Sequence, residues 1–196
     1  MKLWKLAILF LCVIALMAAG YGALLIRHGF SAKDEPSALE KTVARAARNL
    51  SIPADAKQAR NPNPATPENW AEGREHFADH CATCHANDGS GDTEIGRNLY
   101  PKPPDLRLPQ THNLTDGEIF YIIQNGIRLT GMPAWAESHE ENDNWKLVLF
   151  IRHLPNLTAE EKKDMERFNP KSADDEQHEH EGGTPSGKPA EEHHHH

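Results

Sequence analysis

No stretch of this 196-residue chain alternates apolar and polar residues convincingly, so the signal of half-buried strands is missing and the expected fold class is all-α. No internal repeat occurs, and one ordinary domain has to account for the centre of the chain. A basic excess is also lacking. Lys and Arg number 21 against 29 Asp and Glu, a formal net charge of −8, which argues against nucleic acid as a partner. The imbalance is local: residues 1–65 carry nine basic and four acidic side chains, residues 66–168 ten and eighteen, and residues 169–196 two and seven. The acidic centre suits a partner with a basic or apolar patch, although a plain solvated surface explains it as well. Cysteine is scarce. Cys12 stands alone in an apolar segment, where a buried neutral thiol is expected, because Leu11 is not the small residue that a lipoprotein signal wants before its cysteine.

The other two cysteines form Cys81-Ala82-Thr83-Cys84-His85, a C-x-x-C-H motif that occurs once. Two thiols at this spacing can each add to a vinyl group of one porphyrin, while the histidine places an imidazole under the iron, so the segment points to one covalently held haem c. A zinc site built from Cys81, Cys84, His76 and His80 is the rival, but structural zinc sites usually close from two separated ligand pairs. A redox dithiol would need a strand-helix-strand setting, and the flanks read as helix and Pro/Gly-rich loop. The iron's sixth ligand is expected from Gly131-Met132-Pro133, 47 residues after His85. Its thioether stabilises ferrous iron, and Pro133 stiffens the loop. Met165 sits in a polar helix and Met1 and Met17 in the N-terminal apolar region, which leaves Met132, with His112, His139 and His153 as alternatives for bis-histidine ligation.

From Thr66 to Pro155 the chain resembles the class I (monohaem) cytochrome c family. The resemblance rests on the helix entering Cys81–His85, on Pro103-Pro104-Asp105-Leu106, on Gly131-Met132-Pro133, and on a last helix containing Trp145-Lys146-Leu147-Val148-Leu149-Phe150. It implies that Cys81 and Cys84 hold the porphyrin and that His85 and Met132 hold the iron. It further implies that the Pro104 carbonyl accepts a hydrogen bond from His85, fixing the ring, and that the first helix crosses the last where Gly73 and Phe77 meet Leu147, Phe150 and Ile151. A single motif argues against dihaem peroxidases and multihaem wires.

Local signals agree with such a fold. Thr66-Pro67 with Glu68 opens a helix running into Cys81. Thr115 to Glu118 is a capping box for a helix over Asp116 to Asn125. The last core helix should begin near Asp143 or Asn144 and stop at Leu154 before Pro155. A second capping box, Thr158 to Glu161, opens a charged helix to about Phe168.

Leu6 to Ile26 is an uncharged run of 21 residues, long enough to span a bilayer. A cleaved signal ending at Ala18-Ala19-Gly20 is the competing expectation, weakened because the apolar stretch continues to Ile26. Residues 1–27 are thus expected to be an anchor. Residues 28–65 should form a basic amphipathic helix from Pro36 to Leu50, resting on lipid headgroups or on the acidic domain, followed by an extended Pro-rich tether from Ser51 to Ala65. Residues 66–168 are expected to be the haem domain, and 169–196 a disordered acidic tail whose histidines are candidates for loose metal binding or for part of a tag. The expected function is one-electron transfer between redox partner proteins, without bond-making chemistry or a small-molecule substrate. The chain would be single-pass in the plasma membrane, with its haem on the periplasmic or external side, where c-type haem is attached. The alternatives are an electron-entry subunit of a larger membrane oxidase or dehydrogenase and, less favoured, a haem sensor or peroxidase.

Overall fold

A computed structural model describes residues 3–29, 31–137 and 140–170, and among these no strand occurs. Helix α1, Leu3–His28, begins the chain. Its stretch Leu3–Arg27 has a mean hydropathy of 2.5 over its most apolar window, none of it buried against the rest of the molecule. At 1.5 Å per residue, 26 residues reach about 39 Å, enough to cross hydrocarbon roughly 30 Å thick. Cys12 is exposed along α1, so no protein core buries it.

Helix α2, Ala38–Ser51, starts at a complete capping box in which Ser37 accepts from Glu40 N and Glu40 reaches back to the Ser37 amide. Leu39, Val43 and Leu50 on its apolar stripe are exposed. Its polar side touches the acidic domain, through Arg45 Nη2 donating to Gln110 Oε1 at 2.8 Å and Tyr100 Oη donating to Glu40.

The segment expected to be an extended tether is docked instead. Ile52 is buried, and helix α3, Ala54–Gln58, lies against the helix that carries Gly117 so closely that a side chain on Gly117 would meet the Ala56 carbonyl at 1.9 Å. Asn61 Nδ2 donates to the Trp145 carbonyl at 2.8 Å, and Thr115 Oγ1 donates to the Lys57 carbonyl at 3.0 Å. Prolines at 53, 62 and 64 keep this stretch from extending a helix, but its Lys57 carbonyl finds a donor and its Asn61 amide an acceptor on the domain, and that holds it down.

The domain's first helix, α4, runs over Pro67–His76 with the Thr66 hydroxyl accepting from Asn69 N. It continues through one π-helical turn, Phe77–Cys81, into α5, Ala82–His85. Short helices α6, Glu94–Arg97, and α7, Pro109–His112, interrupt the long loop that follows. Helix α8 occupies Asp116–Asn125 behind its capping box. Helix α9, Glu141–His153, begins about two residues earlier than anticipated and passes into a 3₁₀ turn, Leu154–Asn156, that accommodates Pro155 in its tighter winding. The closing helix α10, Ala159–Met165, is capped by Thr158 and Glu161 and is shorter than its charge pattern suggests.

Helices α4 and α9 cross at Gly73. A Cβ there would stand 2.3 Å from the Lys146 carbonyl and 3.2 Å from Phe150 Cβ, so hydrogen alone permits this approach. One turn on, Phe77 and Phe150 pack with ring centroids 5.3 Å apart. Leu147, Val148, Phe150 and Leu154 are almost wholly buried around them. Met165, expected outside the core, is fully buried in it: α10 folds back onto α4, where Arg74 Nη2 meets Asp164 Oδ2 at 2.9 Å. The expected disorder of the tail concerns residues that, from 171 onward, lie outside the described ones.

Candidate haem site

The three chemically distinctive residues of the motif share one short piece of helix. The π-helical turn Phe77–Cys81 inserts a residue into the hydrogen-bond ladder just before the motif. Thereafter α5 ends at Ala86, whose φ of 60° turns the chain away, and Gly91 N donates to the His85 carbonyl at 2.8 Å. Cys81, Cys84 and His85 line a cavity together. Its opposite parts come from Pro101–Pro104 and Leu106, from Ile119, Ile122 and Ile123 of α8, from Leu147 and Ile151 of α9, and from Thr130–Pro133. Met132 therefore lies in the same wall system as His85, and the structure brings together all four residues the sequence singled out.

The Met132 loop is shaped by hydrogen bonds and by a glycine. Ile127 N donates to the Met132 carbonyl at 3.1 Å, Met132 N donates to Thr130 Oγ1 at 3.1 Å, and that hydroxyl donates to the Ile127 carbonyl at 2.8 Å. Gly126, at φ +63°, stands where a Cβ would meet the Met132 carbonyl at 2.7 Å. Gly126 is the C-cap of α8, and it also lets the Met132-Pro133 backbone lie close.

Burial governs the protonation states. Burial, with Cys84 adding to it, pushes the Cys81 thiol up to about 12, and burial also raises Cys84. A redox dithiol works through a lowered pKa, so this pair is poorly made for disulfide exchange and well made as neutral thiols awaiting a covalent partner. Burial takes the His85 imidazole down to about 4, with the Pro104 backbone beside it pushing the other way. His85 is thus neutral at physiological pH, the form that can ligate a metal. The Pro104 backbone therefore stands beside the His85 ring, where the resemblance implies it, although Nδ1 of His85 does not close a hydrogen bond of full geometry. A buried neutral imidazole, in an apolar cavity that also contains a thioether and two thiols, fits an iron porphyrin.

The competing residues are elsewhere. His153 Nε2 lies 3.0 Å from Glu161 Oε1 and its ring stacks on Trp70 with centroids 5.0 Å apart; neither His153 nor His112 lines the cavity. His139 lies outside the described residues. His76 and His80 meet edge to face at 4.8 Å, but among the described residues no three His, Cys, Asp or Glu side chains gather as a metal cage. Arg48, from α2, lies outside the segments that the sequence assigns to the site, yet it lines the cavity.

A helical domain that folds around an apolar cavity lined by a C-x-x-C-H turn and by a methionine loop has what a covalently held haem would need. Residues 68–151 match the family model described as cytochrome C oxidase, cbb3-type, subunit III, a match that agrees with the resemblance read from the sequence. Among solved structures, a chain of the Kuenenia stuttgartiensis reducing HAO-like protein complex is similar at 20% identity and a TM-score of 0.43. That match covers 47% of this chain and 46% of the other, so the present chain spans less than half of that relative.

Proposed function

We propose that the protein carries single electrons through one haem c, which Cys81 and Cys84 would hold by thioether bonds and whose iron His85 and Met132 would hold. The observation that carries this reading is the convergence of these four side chains on one apolar cavity. The bound haem supplies the ferric/ferrous couple. The chain's own residues tether, orient and shield it: Cys81 and Cys84 fix the macrocycle, His85 offers a neutral nitrogen, and Met132 offers a soft sulfur that favours the ferrous state. Ile119, Ile123 and Leu147 exclude water, which keeps reorganisation on electron transfer small. The protein is then a carrier rather than an enzyme. In this reading α1 is a single plasma-membrane span with the N-terminus cytoplasmic and the haem domain periplasmic or external, and the tail beyond the domain is a polar appendage.

Intact mass of the denatured full-length chain tests the attachment. It should exceed the sequence mass by one haem, and Cys81→Ala with Cys84→Ala together should abolish the increment. An unmodified mass for the wild type refutes the reading. A second reading, an electron-entry subunit of a larger membrane enzyme, is favoured by the matching family's description as an oxidase subunit. Purification in mild detergent separates the two: stoichiometric co-purifying subunits support the second, and a lone chain supports the free carrier.

A further inference from the structure

Arg48 lies outside the matched segment 68–151, on the helix between the membrane span and the cytochrome domain, yet it lines the haem cavity. Its Nε and Nη2 donate to Asn49 Oδ1 at 3.2 and 3.0 Å, a neutral acceptor. Among the described residues it forms no ion pair: Glu118 attracts it, while burial and the adjacent Arg45 weigh more heavily and lower its pKa. Half-burying a guanidinium with no anion is costly, and such a group marks a place where negative charge is missing. Lys102, the other Lys or Arg in the cavity wall, is already paired with Glu35.

A haem brings two carboxylates, on the edge away from the vinyl corners that Cys81 and Cys84 would take. The cation that meets them must come from outside the Cys81–His85 turn, and Arg48 does. We propose that Arg48 is the cation that pairs with the carboxylate edge of the bound haem, so that α2 closes that edge of the cavity. This rests on the haem reading above. Helix α2 is held in place to do so by Arg45 on Gln110, by Glu40 with Tyr100, and by Lys57 Nζ donating to the Asn49 carbonyl at 2.7 Å. The charged and titratable groups around the site are then Arg45, Glu118, Lys57, Lys102 with Glu35, and the cavity histidines His80 and His85.

The test uses full-length holoprotein in detergent and follows the midpoint potential against pH. A cation in contact with a carboxylate lowers its pKa by roughly 1–3 units, so Arg48→Gln should move the carboxylate-linked step in the potential upward by about one to two pH units. Lys41→Gln, which removes a charge from the same helix without touching the cavity or the anchors of α2, should leave the step in place. A step unmoved by Arg48→Gln, or moved equally by Lys41→Gln, overturns the proposal. Arg48→Lys keeps the charge but loses the planar fork; it should alter the haem carboxylate bending band in the resonance Raman spectrum, and an unchanged band also counts against the pairing. That second readout stands even if the Gln variant fails to fold. Absence of covalent haem from the wild type would instead defeat the underlying haem reading, and it is scored by mass before any variant is compared.

Discussion

Met132 and Gly126 illustrate how single residues divide the work of the site. In the proposed site the sulfur would set the iron's preference, and the glycine lets the loop that presents it lie close to the end of α8. Met132→His should keep a six-coordinate haem and lower its midpoint potential markedly, because imidazole favours ferric iron relative to thioether; an unmoved potential in a redox titration would mean that another residue is the ligand. Gly126→Ala should cost about 1–3 kcal/mol in denaturant unfolding, since it places a Cβ at positive φ and 2.7 Å from the Met132 carbonyl. Cys81, Cys84, His85 and Met132 were legible in the sequence because covalent attachment and ligation demand particular atoms at short, fixed spacing. Arg48 was not, since nothing local distinguishes it from Arg45; only the folded path of α2 selects which arginine reaches the cavity.

Helices were legible where their ends carry their own chemistry. Thr66, Thr115 and Thr158 each accept the backbone bond that a cap should accept, and Gly73 announced the crossing of α4 and α9. Gly73→Val should destabilise the domain by about 1–3 kcal/mol or more, read as a lower denaturant midpoint, because the Lys146 backbone cannot retreat without parting the helices. The π-helical turn before Cys81 and the docking of residues 51–65 carry no such local mark; both arise from tertiary contacts. Helix α10 is likewise fixed by partners rather than by pattern. Lys162 reaches Asp88 Oδ2 at 3.1 Å, and against burial, which alone would raise it, hydrogen bonds from Ser90 and Lys162 hold the Asp88 carboxyl down to about 2. A depressed carboxylate pKa contributes stability above the ordinary value near 3.8 and loses it as pH falls toward 2. The wild type should therefore unfold at higher denaturant than Asp88→Asn above pH 4, with the two midpoints converging near pH 2. A constant gap would show that the carboxylate charge is not what matters there.

For the whole molecule, the arrangement is a membrane-length apolar helix, a connector folded onto the domain, and a helical domain around one cavity. Because the connector is docked through α2 and α3, the cytochrome domain is held by more than a flexible leash. The chain should stay in the membrane pellet through high salt and carbonate and should keep Met1 or Lys2 at its N-terminus; a soluble product beginning near Tyr21 would remove α1 from the mature protein. The central claim, a closed six-coordinate haem used for single-electron transfer, is tested most directly by an anaerobic redox titration of the purified full-length chain followed by its visible spectrum, with carbon monoxide added to the reduced end point. The account predicts a single one-electron wave and a reduced spectrum that carbon monoxide leaves unchanged. Several waves, or a carbon monoxide shift in the native reduced protein, would contradict it.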